Sequence, residues 1–105
     1  MKKVLIICAA GMSSSLIAKK VTHYFENVGK EIEVEAIHAT LGAEKIAANE
    51  FDLYLISPQT KMYFGKLKEA ALKKNKPIKS IPDEAYLPIP IGICKLAEMI
   101  ENVLK

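Results

Sequence analysis

The chain opens with a continuous apolar run, Val4 to Ala10, and passes directly into helical spacing. That succession constrains the fold more than any other feature. An unbroken run without alternation suits a strand buried on both faces, as in a parallel sheet. The run is too short to cross a membrane. Lys2-Lys3 before it gives a superficial likeness to a signal peptide. No processing site follows, so the run is read as the first strand, Lys3 to Ile7.

The same alternation continues along the chain. Leu16, Ile17, Val21, Tyr24, Phe25 and Val28 keep helical spacing over 14–28, and Gly29 stops that helix. From Glu31 to Ala39 apolar and acidic residues alternate, which predicts a half-exposed edge strand. A short helix over 43–49, a buried strand over 53–56 and a helix over 62–74 follow. A fourth strand over 77–81, a loop from Pro82 to Pro90 and a last helix over 92–104 complete the pattern. Repeated strand-helix units cross over right-handed and build a parallel sheet. The expected fold is α/β: four parallel strands in the order 2-1-3-4, with helices on both faces. The chain of 105 residues suits one domain with one core.

Ligands in such sheets bind beyond the carboxyl ends of the strands, at the switch point. Three loops meet there: 8–14, 57–62 and 82–86. Cys8 stands at the end of the first strand, followed by Ala9-Ala10-Gly11-Met12-Ser13-Ser14-Ser15. Small residues leave space, and Gly11 is able to adopt a positive φ. Such a loop can turn backbone N–H groups inward as an anion nest, with a helix N-terminus behind it. A thiol in that setting is a better nucleophile at neutral pH. The serines cap the helix or meet an anion's oxygens.

The segment Ile7 to Ser15 resembles the active-site loop of IIB (EIIB) components of the sugar phosphotransferase system (PTS), lactose/cellobiose/chitobiose class. Leu55-Ile56-Ser57-Pro58-Gln59 and Ile81-Pro82-Asp83-Glu84-Ala85-Tyr86 resemble that family's third strand with its turn and its loop after strand four. The resemblance covers the whole chain as a single domain, 1–105. It implies a fold similar to low-molecular-weight tyrosine phosphatases. It implies that Cys8 takes a phosphoryl group from a phosphohistidine of the IIA protein and passes it to a sugar at the membrane IIC component. Ala9, Ala10, Gly11, Met12, Ser13, Ser14 and Ser15 would then cradle the phosphate. Gln59 and Tyr86 are candidate phosphate or partner contacts. The resemblance further implies a cytoplasmic monomer without cofactor.

Composition narrows the alternatives. All 15 Lys and Arg positions are lysine. A bidentate guanidinium clamp is therefore excluded. The phosphatase loop is Cys-x5-Arg-Ser/Thr; here Ser14 holds the arginine's place, which argues against a phosphatase or arsenate reductase. No acidic cluster follows the first strand to support a flavodoxin-like binder, and neither GxGxxG nor a P-loop is present. The lysines are scattered, so nucleic acid is not an expected partner. His23, His38, Cys8 and Cys94 match no familiar metal spacing.

Among the remaining residues, Cys94 is expected in the core and His23 in solvent. His38 is expected in a capping or surface role. Asp83 follows Pro82, whereas the phosphatases' acid precedes a proline, so a catalytic acid is not expected there. Leu16 is expected to face the sheet, leaving Met12 as the interface candidate.

Overall fold

The computed structural model describes residues 2–8 and 11–104, with the side chains of 11–13 outside the description. Four strands, β1 (Lys2–Cys8), β2 (Ile32–His38), β3 (Leu53–Ile56) and β4 (Ile78–Ser80), alternate with helices. The helices are α1 (Gly11–Asn27), α2 (Gly42–Ala48), α3 (Phe64–Lys73) and α4 (Pro90–Leu104). All neighbouring strands run parallel, in the order β2-β1-β3-β4. The alternating 31–39 segment is indeed an edge strand.

Side chains of β1 alternate between the two faces, and each face has its own core. Val4 and Ile6 join Leu53 and Leu55 beneath α1 and α4, with Val21, Phe25, Leu96 and Ile100 closing that layer. Leu5 and Ile7 join Tyr54 and Ile56 beneath α2 and α3, with Ile46, Leu67 and Ala71. Each fully buried Leu or Ile contributes about 1.5–3 kcal/mol. Two loaded faces on one strand explain why β1 reads as an unbroken apolar run.

The differences from the expected elements are local. Helix α1 starts at Gly11, three residues before the predicted start, and residues 9 and 10 of the expected loop lie outside the described residues. The predicted helix over 62–74 divides into a 3-10 segment, Pro58–Tyr63, and α3. Pro58 starts the first segment, and Thr60 leaves helical geometry at φ −114, ψ 23. Strand β4 shortens to three residues, and α4 begins at Pro90, where a proline fits the first helical position.

Two side chains depart from their expected environments. Leu16 is 47% exposed, because the buried phase of α1 runs through Ser14, Ile17, Ala18, Val21 and Phe25. Cys94 is exposed rather than in the core. The buried stripe of α4 is Ile93, Leu96, Ala97 and Ile100, and Cys94 lies one step, about 100°, off it. Among the described residues no helix is long and apolar enough to cross a membrane.

Candidate functional site

β1 is a central strand, and its last residue is Cys8, paired in register with His38 of β2. The chain then enters α1 within three residues, so the thiol meets that helix's first turn. Cys8 Sγ lies 2.6 Å from Ser14 Oγ and 3.5 Å from the Ile37 carbonyl, to which the thiol can donate. Cys8 is 1% exposed and Ser14 is fully buried.

The second loop follows β3. Ser57 is extended (φ −67, ψ 157), as a residue before proline prefers. Its N–H donates to the Ile7 carbonyl at 3.0 Å, carrying the β1–β3 pairing to the site. Thr60 Oγ1 donates to the same Ile7 carbonyl at 3.2 Å, and to Ser57 O at 3.0 Å. It also lies 3.1 Å from Ser57 Oγ. Ser57 and Thr60 are both fully buried.

The third loop follows β4. Ile81 N–H donates to Ile56 O at 2.8 Å, and Ile81 and Ala85 are buried. These anchors hold the 3-10 turn Asp83–Ala85, which Tyr86 terminates with its N–H on Asp83 O at 3.1 Å. Burial pushes the Tyr86 phenol up from the ordinary tyrosine value, and charge on Cys8 pushes it further. Hydrogen bonding by the Ser14 and Ser57 side chains acts in the opposite direction, favouring the phenolate. Cys8 and Ser14 thus meet at the end of β1, Ser57 and Thr60 pair on the loop after β3, and the Tyr86 phenol interacts with Cys8, Ser14 and Ser57.

The expected site residues separate into distinct groups. Cys8, Ser14 and Tyr86 come together. Ser15 is exposed on α1, and Gln59 is exposed on its turn, outside the cluster. Ala9 and Ala10, and the side chains of Gly11, Met12 and Ser13, lie outside the described residues. Asp83 is exposed. His38 caps the turn after β2: its Nδ1 accepts from Thr40 N at 3.2 Å and lies 3.1 Å from Thr40 Oγ1. The His23 side chain is 73% exposed, 3.6 Å from Glu26. The roles expected for both histidines hold.

Ser57 and Thr60 were not singled out from the sequence. The available signal was the Ser-Pro-x-Thr spacing, which places two hydroxyls three residues apart at a helical start. Among the described residues no group of His, Cys, Asp and Glu is arranged to hold a metal.

The sequence model for the family described as "PTS system, Lactose/Cellobiose specific IIB subunit" matches residues 3–101. The chain belongs to this family. It is similar to the oligo-beta-mannoside-specific EIIB component of the PTS from Bacillus subtilis (strain 168), with 33% identity over 86 residues, 82% of each chain. Its fold is similar to the lactose-specific IIB domain from Streptococcus pneumoniae, at TM-score 0.84 and 16% identity over 99% of this chain and 98% of that one. The cellobiose-specific IIB component from Borrelia burgdorferi superposes at TM-score 0.73 with 26% identity, over 97% and 90%. The expected IIB fold, of the low-molecular-weight phosphatase type, is therefore present, and membership places the chain in sugar phosphotransfer alongside other PTS components.

Proposed function

We propose that this PTS IIB chain, acting as a single domain in the cytoplasm, carries a phosphoryl group on Cys8 between a IIA phosphohistidine and a sugar held by the membrane IIC component. The observation that carries this reading is the position of Cys8. It ends a central strand at the sheet's switch point, with its sulfur 2.6 Å from Ser14 Oγ in the first turn of α1.

The chemistry follows in two steps. The Cys8 thiolate attacks phosphorus, the S–P bond forms, and the P–N bond of the donor breaks with its electron pair left on the imidazole nitrogen. In the second step a sugar hydroxyl oxygen attacks phosphorus and releases its proton, and sulfur departs as thiolate. Both steps depend on in-line alignment and on donors to the equatorial oxygens. The backbone N–H groups of residues 9–15, with the Ser13, Ser14 and Ser15 hydroxyls, are the proposed donors. Gln59 is exposed beside this site, suited to a partner rather than to the sulfur. With no arginine in the chain, transition-state charge is less stabilised against water attack, so the phosphocysteine persists until the next partner takes it.

The Bacillus relative is named for oligo-beta-mannosides, and the family for lactose and cellobiose. A β-linked disaccharide or short oligosaccharide is the proposed cargo.

The test is intact-mass analysis after mixing with phosphorylated IIA of this class. The expected result is one acid-labile phosphoryl group, absent in Cys8→Ser. No gain, together with steady turnover of an aryl phosphate, would mean a phosphatase and overturn the reading.

A further inference from the structure

The Ile7 carbonyl belongs to the peptide bond that leads into Cys8, and two donors hold it. Ser57 N–H donates to it at 3.0 Å, extending the β1–β3 pairing. Thr60 Oγ1 donates to it at 3.2 Å, from 53 positions away in sequence. The hydroxyl has a single hydrogen, which it shares with the Ser57 carbonyl at 3.0 Å. The Ser57 carbonyl also accepts from Thr60 N–H at 3.0 Å. Each carbonyl therefore has a backbone donor of its own, and the hydroxyl rescues neither from being unpaired. What it adds is a tie between the end of β1 and the 3-10 segment Pro58–Tyr63.

The local backbone is shaped for that tie. Thr60 leaves helical geometry inside its segment, at φ −114 and ψ 23. It is fully buried, as is Ile7, whereas Lys61, Met62 and Tyr63 next to it are exposed. Solvent therefore does not compete for the shared hydrogen.

The constraint passes to Cys8 through the peptide bond. That bond is planar, so holding the Ile7 oxygen holds the plane that contains the Cys8 nitrogen and Cα. About the Ser57 hydrogen bond alone the plane can tilt; a second donor off that axis resists the tilt. We propose that Thr60 is a positioning residue for the reaction at Cys8: through the Ile7 carbonyl it fixes the peptide plane from which the nucleophile projects. The inference rests on the reading of Cys8 as the reacting group. The sulfur is two bonds from the Cys8 Cα, so a tilt swings it off the line of attack. Both transfers need sulfur, phosphorus and the third reacting atom nearly in line. The same tie keeps a fixed spacing between the nucleophile and the exposed residues 61–63, where a partner can reach.

The experiment compares the native chain with Thr60→Val, which replaces the hydroxyl by a methyl at nearly constant volume, and Thr60→Ser, which keeps it. Phosphoryl uptake from phosphorylated IIA is read as kcat and KM, at a temperature where melts show every chain folded. Thr60→Val is expected to lower kcat about ten-fold at unchanged KM, with Thr60→Ser within about two-fold of native. A hydroxyl that only stabilised the fold would lower the melting temperature and leave kcat of the folded chain alone. Native kcat in Thr60→Val therefore overturns the proposal, and so does an equal loss in Thr60→Ser. Iodoacetamide alkylation, read by peptide mass, follows the same constraint without a phosphoryl donor. Cys8, 1% exposed in the native chain, should react about five-fold faster in Thr60→Val as its surroundings loosen. Exposed Cys94 is the internal control and should not change. If Thr60→Val does not fold, Thr60→Ala removes the hydroxyl with less bulk beside the carbonyls and is read by the same two assays. Failure of the native chain to accept a phosphoryl group would instead sink the carrier reading. Alkylation then decides whether Thr60 positions Cys8: faster reaction at Cys8 alone supports it, and an unchanged rate or an equal change at Cys94 overturns it.

Discussion

At the residue scale, a partly buried tyrosine, Tyr86, and a fully buried one, Tyr54, illustrate opposite treatments of a hydroxyl. Tyr86 meets Ser14 and Ser57, which offset part of the effect of burial on its phenol. Tyr54 is fully buried between strands and helices, and its hydroxyl makes no hydrogen bond of good geometry. Burial pushes its phenol above the ordinary value, and the Phe51 backbone compensates only in part. A desolvated, poorly partnered hydroxyl costs about 1–3 kcal/mol. Tyr54→Phe is therefore expected to leave stability unchanged or raise it by up to about 1 kcal/mol in urea melts; a clear loss would mean the hydroxyl has a productive partner. Both phenols also link folding to alkaline pH. Their folded values lie above the unfolded value of 10.0, so the unfolded chain loses these protons first. The stabilisation is complete below about pH 10 and is lost as pH rises through the folded values. In Tyr54→Phe the alkaline fall in melting temperature should be shallower than in the native chain.

At the element scale, α4 and the loop that carries Tyr86 are held together by the absence of one side chain. A Cβ on Gly92 would stand 2.6 Å from the Leu87 carbonyl oxygen and 2.8 Å from Leu87 Cβ. Backbone would have to shift. Gly→Ala in a helix normally gains about 1 kcal/mol, but this clash outweighs it. Gly92→Ala should destabilise the chain by about 1–3 kcal/mol in urea melts. An unchanged melt would show that the loop yields freely. The same two elements show what was legible. Strand order, edge position and helix placement followed from periods of 2 and 3.6, which apolar residues report directly. Leu16 and Cys94 differ from expectation because residues next to apolar neighbours in sequence lie about 100° away from them on a helix face. Ser14 rather than Ser15 faces the sulfur for the same reason of phase, which a run of three serines does not reveal. The hydroxyls of Ser57 and Thr60 depend on a turn that joins distant strands, and no local spacing encodes that meeting.

At the scale of the whole molecule, exposed apolar side chains gather at the carboxyl end of the sheet. Leu16 in α1, Leu41 after β2, Met62 and Tyr63 after β3, and Leu87 and Ile89 after β4 all lie in segments beyond strand ends. They surround the end at which Cys8 sits. Charges on these segments are mixed, with Lys61 facing solvent on one turn and Asp83 and Glu84 on another. A partner docking here therefore gains little from steering and more from apolar contact. Under the carrier reading, donor and acceptor proteins must each reach the same sulfur, so they share this face in turn and both contacts must remain weak enough to release. Met62, 79% exposed, is the most accessible of these side chains. Met62→Glu is expected to raise KM for phosphorylated IIA about ten-fold, a loss of about 1.4 kcal/mol of docking free energy. kcat should stay near the native value, since Met62 belongs to the rim and not to the buried hydroxyl groups. A fall in kcat at constant KM would instead place Met62 in the transfer step, and a null effect on both would move the docking face away from the β3 turn.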